Sequence, residues 1–355
     1  VLEIDHSNYY ALRFLGCLFR LKGRYEEGIN CLRAAISVRP ADADTHLNLG
    51  RILADSGAYD SAIHILEECI TLKSDFAEAY QTLGYCLSQI GKLPQSVEKL
   101  LKAVELNKLL VQSWFNLGNT YMMLGKIQDA IESYQQSIRI SPNFYDAYIN
   151  LGVAYSEDGD SEKSLQIYLK AIRINPNSAC AFTFIAGIFQ NRGEIDKAIA
   201  MYREAIRLDP NYIGSLFGLA SLLKGRGEYQ EAINLYHRVL LIDGSHVNSI
   251  AGLGWSYLSF GNAERGINYY ESVLRGSLND TDSLFFLFEL VRGNIEKKIK
   301  SSFSYSSEFL LQSLDCLGVS KLIAFGDSHV LLFEGINEIE VNHVGASTAY
   351  NLIKD

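Results

Sequence analysis

A glycine recurs every 34 residues along this chain: Gly16, Gly50, Gly84, Gly118 and Gly152 keep the step, and Ala186, Ala220 and Gly254 continue it. The residue before each is apolar (Leu15, Leu49, Leu83, Leu117, Leu151, Ile185, Leu219, Leu253). A second series, Gly23, Gly57, Gly91, Gly125, Gly159, Gly193, Gly227 and Gly261, runs in the same register. Eight units in phase describe one short supersecondary element stacked on copies of itself. Between the two series lies a helical stretch with an aromatic residue or Leu at one position (Phe19, Leu53, Leu87, Tyr121, Tyr155, Phe189, Leu223, Tyr257), and a second helical pattern follows. Each unit reads helix, turn, helix.

Close helix packing explains the residue types. The small residue of the first helix faces small residues in the second: Gly28, Ala62, Ser96, Ala130, Ser164, Ala198, Ala232 and Gly266. Larger side chains fill the groove around that contact, with Leu32, Leu66 and Leu100 early and Tyr134, Tyr168, Tyr202, Tyr236 and Tyr270 later in one slot. These tyrosines read as core. Pro40, Pro142, Pro176 and Pro210 stand near the end of the second helix, where a residue that cannot continue a helix stops it. Ser74, Lys108, Gly244 and Leu278 replace it elsewhere.

Trp114, Leu117, Gly118, Tyr121, Ala130, Tyr134 and Pro142 resemble the tetratricopeptide pattern in order and spacing. The resemblance covers residues 9–280 as eight repeats, starting at Tyr9, Ala43, Ala77, Val111, Tyr145, Ala179, Ile213 and Val247. It implies a mainly α fold, a right-handed α-solenoid. It also implies a scaffold that binds peptides or partner protein segments in a concave groove, with no cofactor and no metal. Residues 1–8 resemble the tail of a preceding unit, since Val1-Leu-Glu-Ile-Asp5 matches Ile206-Arg-Leu-Asp-Pro210.

The groove of such an array is lined chiefly by first helices. Arg51, Asp55, Tyr85, Asn119, Met122 and Trp255 are expected to point into it, joined by Asn48, Asn116 and Asn150. Those three asparagines share one slot, in Asn-Leu-Gly, and resemble the asparagine ladder of O-GlcNAc transferase repeats, which holds an extended peptide backbone. An amide offers both donor and acceptor, which suits a main chain of any sequence. Asn in this slot can equally bridge neighbouring helices. Phe14, Thr82, Phe184, Gly218 and Gly252 occupy the slot elsewhere and break any ladder.

Past Asp280 the register fails. Thr281–Val291 carries an N-cap and helical apolar spacing, and residues 281–317 are expected to hold capping helices and a Ser-rich connector. Lys321-Leu-Ile-Ala-Phe325 has a buried-strand pattern, followed by Gly326-Asp-Ser-His329 and an apolar stretch expected to begin a helix. A second strand, Ile339–Val344, leads to Gly345. Residues 318–355 resemble the start of an SGNH (GDSL-type) hydrolase. The resemblance implies Ser328 as nucleophile, the N–H groups of Ser328 and Gly345 as part of an oxyanion hole, and Asp327 bracing the turn. The family's oxyanion Asn block and its late Asp-x-x-His are absent, and neither His329 nor His343 is placed to act as the base. The segment therefore reads as an incomplete α/β domain, inactive as it stands, or as an α/β cap without chemistry. The chain is expected to be an internal piece of a longer protein, whose alternative function is that of a repeat-guided esterase or acyltransferase.

Composition excludes several classes. A chain of 355 residues with 48% hydrophobic and 21% charged residues can bury a sizeable core, and five prolines leave no room for long Pro-rich linkers. A net charge of -9 without clustered Lys and Arg argues against nucleic acid as partner. No apolar run reaches the roughly 20 residues of a membrane span. The six cysteines form no CxxC and fall in helical patterns, so free thiols and a cytoplasmic location are expected.

Overall fold

The computed structural model describes residues 8–262, 265, 266, 268 and 269, together with the backbone of 321–324 and 331–334. The first helices of the units are α1 (Tyr9–Leu21), α3 (Ala43–Asp55), α5 (Ala77–Gln89), α7 (Val111–Met123), α9 (Tyr145–Glu157), α11 (Ala179–Asn191), α13 (Ile213–Gly225) and α15 (Val247–Ser259). The second helices are α2 (Tyr25–Val38), α4 (Tyr59–Leu72), α6 (Leu93–Leu106), α8 (Ile127–Ile140), α10 (Ser161–Ile174), α12 (Ile195–Leu208) and α14 (Tyr229–Ile242). Every odd helix starts at the residue where a sequence unit starts.

The chain divides into two compact units, Val1–Leu222 and Leu223–Asp355, with the boundary inside α13. In the first unit each even helix packs on the odd helix of its own repeat, and α2, α4, α6, α8 and α10 pack on the next one as well. Successive odd helices from α1 to α9 also meet directly. The odd helices are thus the closely spaced layer, and their surface turned from the even helices forms an inner face. The core runs between the layers as a row of apolar clusters. One joins Leu32, Leu49, Leu66 and Leu83 of the first three repeats, and another joins Tyr134 to Leu151 and Ala154.

Local chemistry sets the helix ends. Asn8, Asp42, Asp160 and Ser178 accept hydrogen bonds from backbone N–H groups three residues on, so these helices start with a filled cap. Odd helices end in a left-handed glycine. Gly57 has φ +81°, its N–H bonds to the Ala54 carbonyl, and the Ala58 N–H reaches back to the Leu53 carbonyl. That pair of bonds satisfies carbonyls the helix leaves open, and it needs a positive φ that a side chain disfavours. The other glycine series answers to space. A Cβ on Gly84 would lie 2.5 Å from Leu100 Cγ, and one on Gly118 would strike the Tyr134 ring. The facing small residue matters as well, since Ser96 Oγ donates to the Gly84 carbonyl at 2.7 Å.

Proline is not required to end the even helices. α2, α8, α10 and α12 each stop two residues before a proline, yet α4, α6 and α14 stop at the same place without one. In the second unit, α14 packs on α15, where Tyr236 fills the space beside Gly252. Among its described residues, strands β1 (Lys321–Ala324) and β2 (Leu331–Glu334) pair antiparallel with Lys321 opposite Glu334. The helix expected after Ser328 is therefore replaced by a returning strand over 331–334. A short connection suffices for antiparallel pairing, whereas a parallel neighbour would need a crossover of a dozen residues or more. The capping helices expected over 281–317, the second strand expected at Ile339–Val344 and the rest of the α/β segment lie outside the described residues.

Candidate binding face

Positions on one side of the odd helices supply the inner face of the first unit. Asn119 on α7 is its best-connected member. Its Oδ1 accepts from the Tyr134 hydroxyl at 2.8 Å and from Asn150 Nδ2, on the neighbouring α9, at 2.8 Å. The Tyr134 ring is buried beneath, and burial pushes its hydroxyl pKa far up. A buried phenol needs a partner, and Asn119 provides one while tying two repeats together. This arrangement uses one half of each amide. Asn119 Nδ2 and Asn150 Oδ1, a donor and an acceptor, have no partner among the described residues.

The other expected members are placed differently. Asn116 is 8% exposed, and its Oδ1 accepts from Gln112 Nε2 at 3.0 Å, one turn earlier on the same helix. Met122 is half-buried against the cluster of Ala130 and Tyr134. Asn48 is half-buried on α3. Tyr85 packs edge-to-face on Tyr59 with centroids 6.3 Å apart, and burial, helped by its hydrogen bond to Tyr59, raises its pKa. Arg51 is half-buried; burial and then the like charge of Arg20 lower its pKa. Asp55, expected in the groove, holds Arg20 across α1 and α3 at 2.7 Å. In the second unit Trp255 is 42% exposed with the Lys224 ammonium 5.8 Å over its ring.

The slot shared by Asn48, Asn116 and Asn150 has a packing logic invisible in the repeat spacing alone. At Asn150, Phe184, Gly218 and Gly252 it lies beside the tyrosine of the preceding even helix. Phe184 in this slot stacks on Tyr168 (5.1 Å, 10°), and Gly218 and Gly252 leave room for the Tyr202 and Tyr236 rings. Asn150 sits beside the Tyr134 hydroxyl in the same way. Sequence reasoning also passed over Arg20 and Gln190. Gln190 Oε1 accepts from the Tyr202 hydroxyl at 3.2 Å. For the asparagine slot the available signal was a tyrosine followed 16 residues later by a small, amide or aromatic residue, which pairs one repeat with the next; no such spacing marks Arg20 or Gln190.

Asp327, Ser328 and Gly345 lie outside the described residues. Among the described residues no group of His, Cys, Asp and Glu could hold a metal, and no helix is long and apolar enough to cross a membrane. Cys17, Cys31, Cys69, Cys86 and Cys180 are free thiols.

Family models described as TPR repeat or tetratricopeptide repeat match residues 16–57, 43–76, 99–132, 118–159, 145–178 and 191–253. Together they cover more than half of the chain, and none extends past residue 253. Among curated proteins, none matches. Among solved structures the chain is similar to the APC/C hetero-tetramer Cut9-Hcn1 at 14% identity and TM-score 0.56, over 75% of this chain and 52% of that one. It is also similar to pilF of Pseudomonas aeruginosa at 20% identity and TM-score 0.53, over 60% of this chain and 97% of that one. MamA protein aligns at 27% identity and TM-score 0.43, over 50% of this chain and 96% of that one.

Proposed function

Because the chain belongs to the tetratricopeptide-repeat family, we propose that it is a protein-interaction scaffold whose inner face holds an extended segment of a partner protein. The observation that carries the groove reading is the divided use of the Asn119 and Asn150 amides. One half of the pair joins α7 to α9; the other half offers a donor and an acceptor to a backbone amide of the guest. Side-chain amides suit this task because they satisfy a main chain without reading its sequence. Asn48 on α3 and Asn116 on α7 occupy the same repeat position as Asn150, with Thr82 between them on α5, and Tyr85 and Met122 add half-buried apolar surface.

The test uses an array of peptides of about ten residues, roughly 33 Å when extended. The full chain is compared with an Asn116→Ala/Asn150→Ala variant and with Gln136→Ala, which changes an even helix. The inner-face variant is expected to lose peptide capture with its helical circular dichroism intact, while Gln136→Ala binds as the parent does. Equal capture by all three proteins would assign these asparagines to bridging helices alone.

A further inference from the structure

Charges on the inner face of α1, α3 and α5 are unevenly matched. Arg20 is paired with Asp55, and Arg13 donates from Nη1 to the Tyr9 hydroxyl at 3.5 Å. Arg51, one turn before Asp55, has no ion pair and no hydrogen bond among the described residues, although its side chain is half-buried. Glu78 and Asp55 favour its charge from beyond ion-pair distance, and burial together with Arg20 opposes it. A cation held partly out of water with no partner works against the folded state. Such a group is a candidate for completion by a ligand. Asn48 stands one turn before Arg51 with no hydrogen bond of its own, and Phe14, 72% exposed, lies on the neighbouring α1.

We infer that Arg51 anchors an acidic side chain, Glu or Asp, of a partner peptide lying across α1, α3 and α5, with Asn48 donating beside it. The inference rests on the groove reading above and adds the chemistry of the guest. A guanidinium takes a carboxylate through two parallel hydrogen bonds. A single negative charge suits the site better than a phosphate, whose charge approaches -2 at neutral pH and would face Asp55 and Glu78. Phe14, exposed on the adjacent α1, favours an apolar residue on the α1 side of the acidic one.

The experiment uses the same array, with N-acetylated and C-amidated peptides of identical flanks carrying Glu, Gln or phosphoserine at one position. The parent chain is expected to retain Glu peptides about tenfold more strongly than their Gln counterparts, the size of one charge-assisted hydrogen bond. Arg51→Gln should bring Glu peptides down to the Gln level, leave Gln peptides as before, and melt no lower than the parent. Arg51→Lys, which keeps the charge but loses the fork, should retain part of the preference. Equal capture of Glu and Gln by the parent would overturn the role of Arg51 and leave the groove standing. So would a preference for phosphoserine, or a Glu preference that survives Arg51→Gln. Capture of no peptide at all would remove both readings, and a large drop in the melting temperature of Arg51→Gln would assign the residue to folding.

Discussion

Repeats one to three and repeats four to six solve one packing problem with different side chains. In the early repeats a leucine (Leu32, Leu66, Leu100) covers the glycine of the first helix; in repeats four and five a tyrosine (Tyr134, Tyr168) takes that place, and in repeat six Tyr202 occupies the same slot, with Ala186 in place of the glycine. Leucine seals the layer and asks nothing of its surroundings. Tyrosine brings a hydroxyl that must be satisfied, so Asn119 and Gln190 are drawn down from the inner face to accept from it. At Tyr134 and Tyr202 the core is thereby tied to the inner face, whereas Arg51 in the early repeats has no partner among the described residues.

The largest effect should come from filling the glycine contact. Gly84→Leu and Gly118→Leu are each expected to overpack it by about 1–3 kcal/mol or more, while Lys92→Ala, at an exposed position, is near neutral. Second-site relief separates the two regions. Adding Leu100→Ala to Gly84→Leu should restore much of the melting temperature, because only volume is exchanged. Adding Tyr134→Ala to Gly118→Leu should restore less, because Asn119 also loses its buried donor. Equal rescue in thermal denaturation would show that the hydroxyl adds nothing to the contact.

A smaller effect is expected for Tyr134→Phe, about 1 kcal/mol from one lost hydrogen bond, read from urea denaturation. Its counterpart in the early repeats does not exist, which makes the measurement a direct contrast of the two plugs.

The smallest effect depends on pH. Burial raises the pKa of Tyr134 and Tyr168 above the ordinary 10.0. An unfolded chain gives up these protons first, so their contribution is complete below pH 10 and falls as pH rises beyond it. Tyr134→Phe/Tyr168→Phe should therefore flatten the alkaline loss of stability above pH 10. A curve identical to that of the parent would count against buried phenols in the later repeats.

Much of the fold was legible because geometry repeats. The starts at Tyr9, Ala43 and Ala77 follow from the glycine step alone, and the left-handed turns follow from Gly57 and its equivalents. The candidate binding face was less legible. The asparagine slot was read along its own series, but its neighbour lies across the repeat boundary, so the match of Asn150 with Tyr134 belongs to two units at once. Arg51 looks from sequence like any groove arginine. Only the reach of Arg20 to Asp55 shows that the nearby carboxylate is already taken. Beyond the array there is no period to check a guess against, and the strand pair of 321–324 with 331–334 departed from the helix expected after Ser328.

The thiols of Cys69 and Cys86 are sealed in the second and third repeats, and burial pushes them up to about 11 and about 12. Alkylation needs a solvent-exposed thiolate. Each reaction with a maleimide must therefore wait for its own helix pair to part. The chain carries two internal clocks for opening of the early repeats, and Cys31, half-exposed on α2 away from the guest, serves as the unprotected reference. A guest that clasps α1, α3 and α5 should slow both clocks together, so its arrival can be timed without any label on the guest.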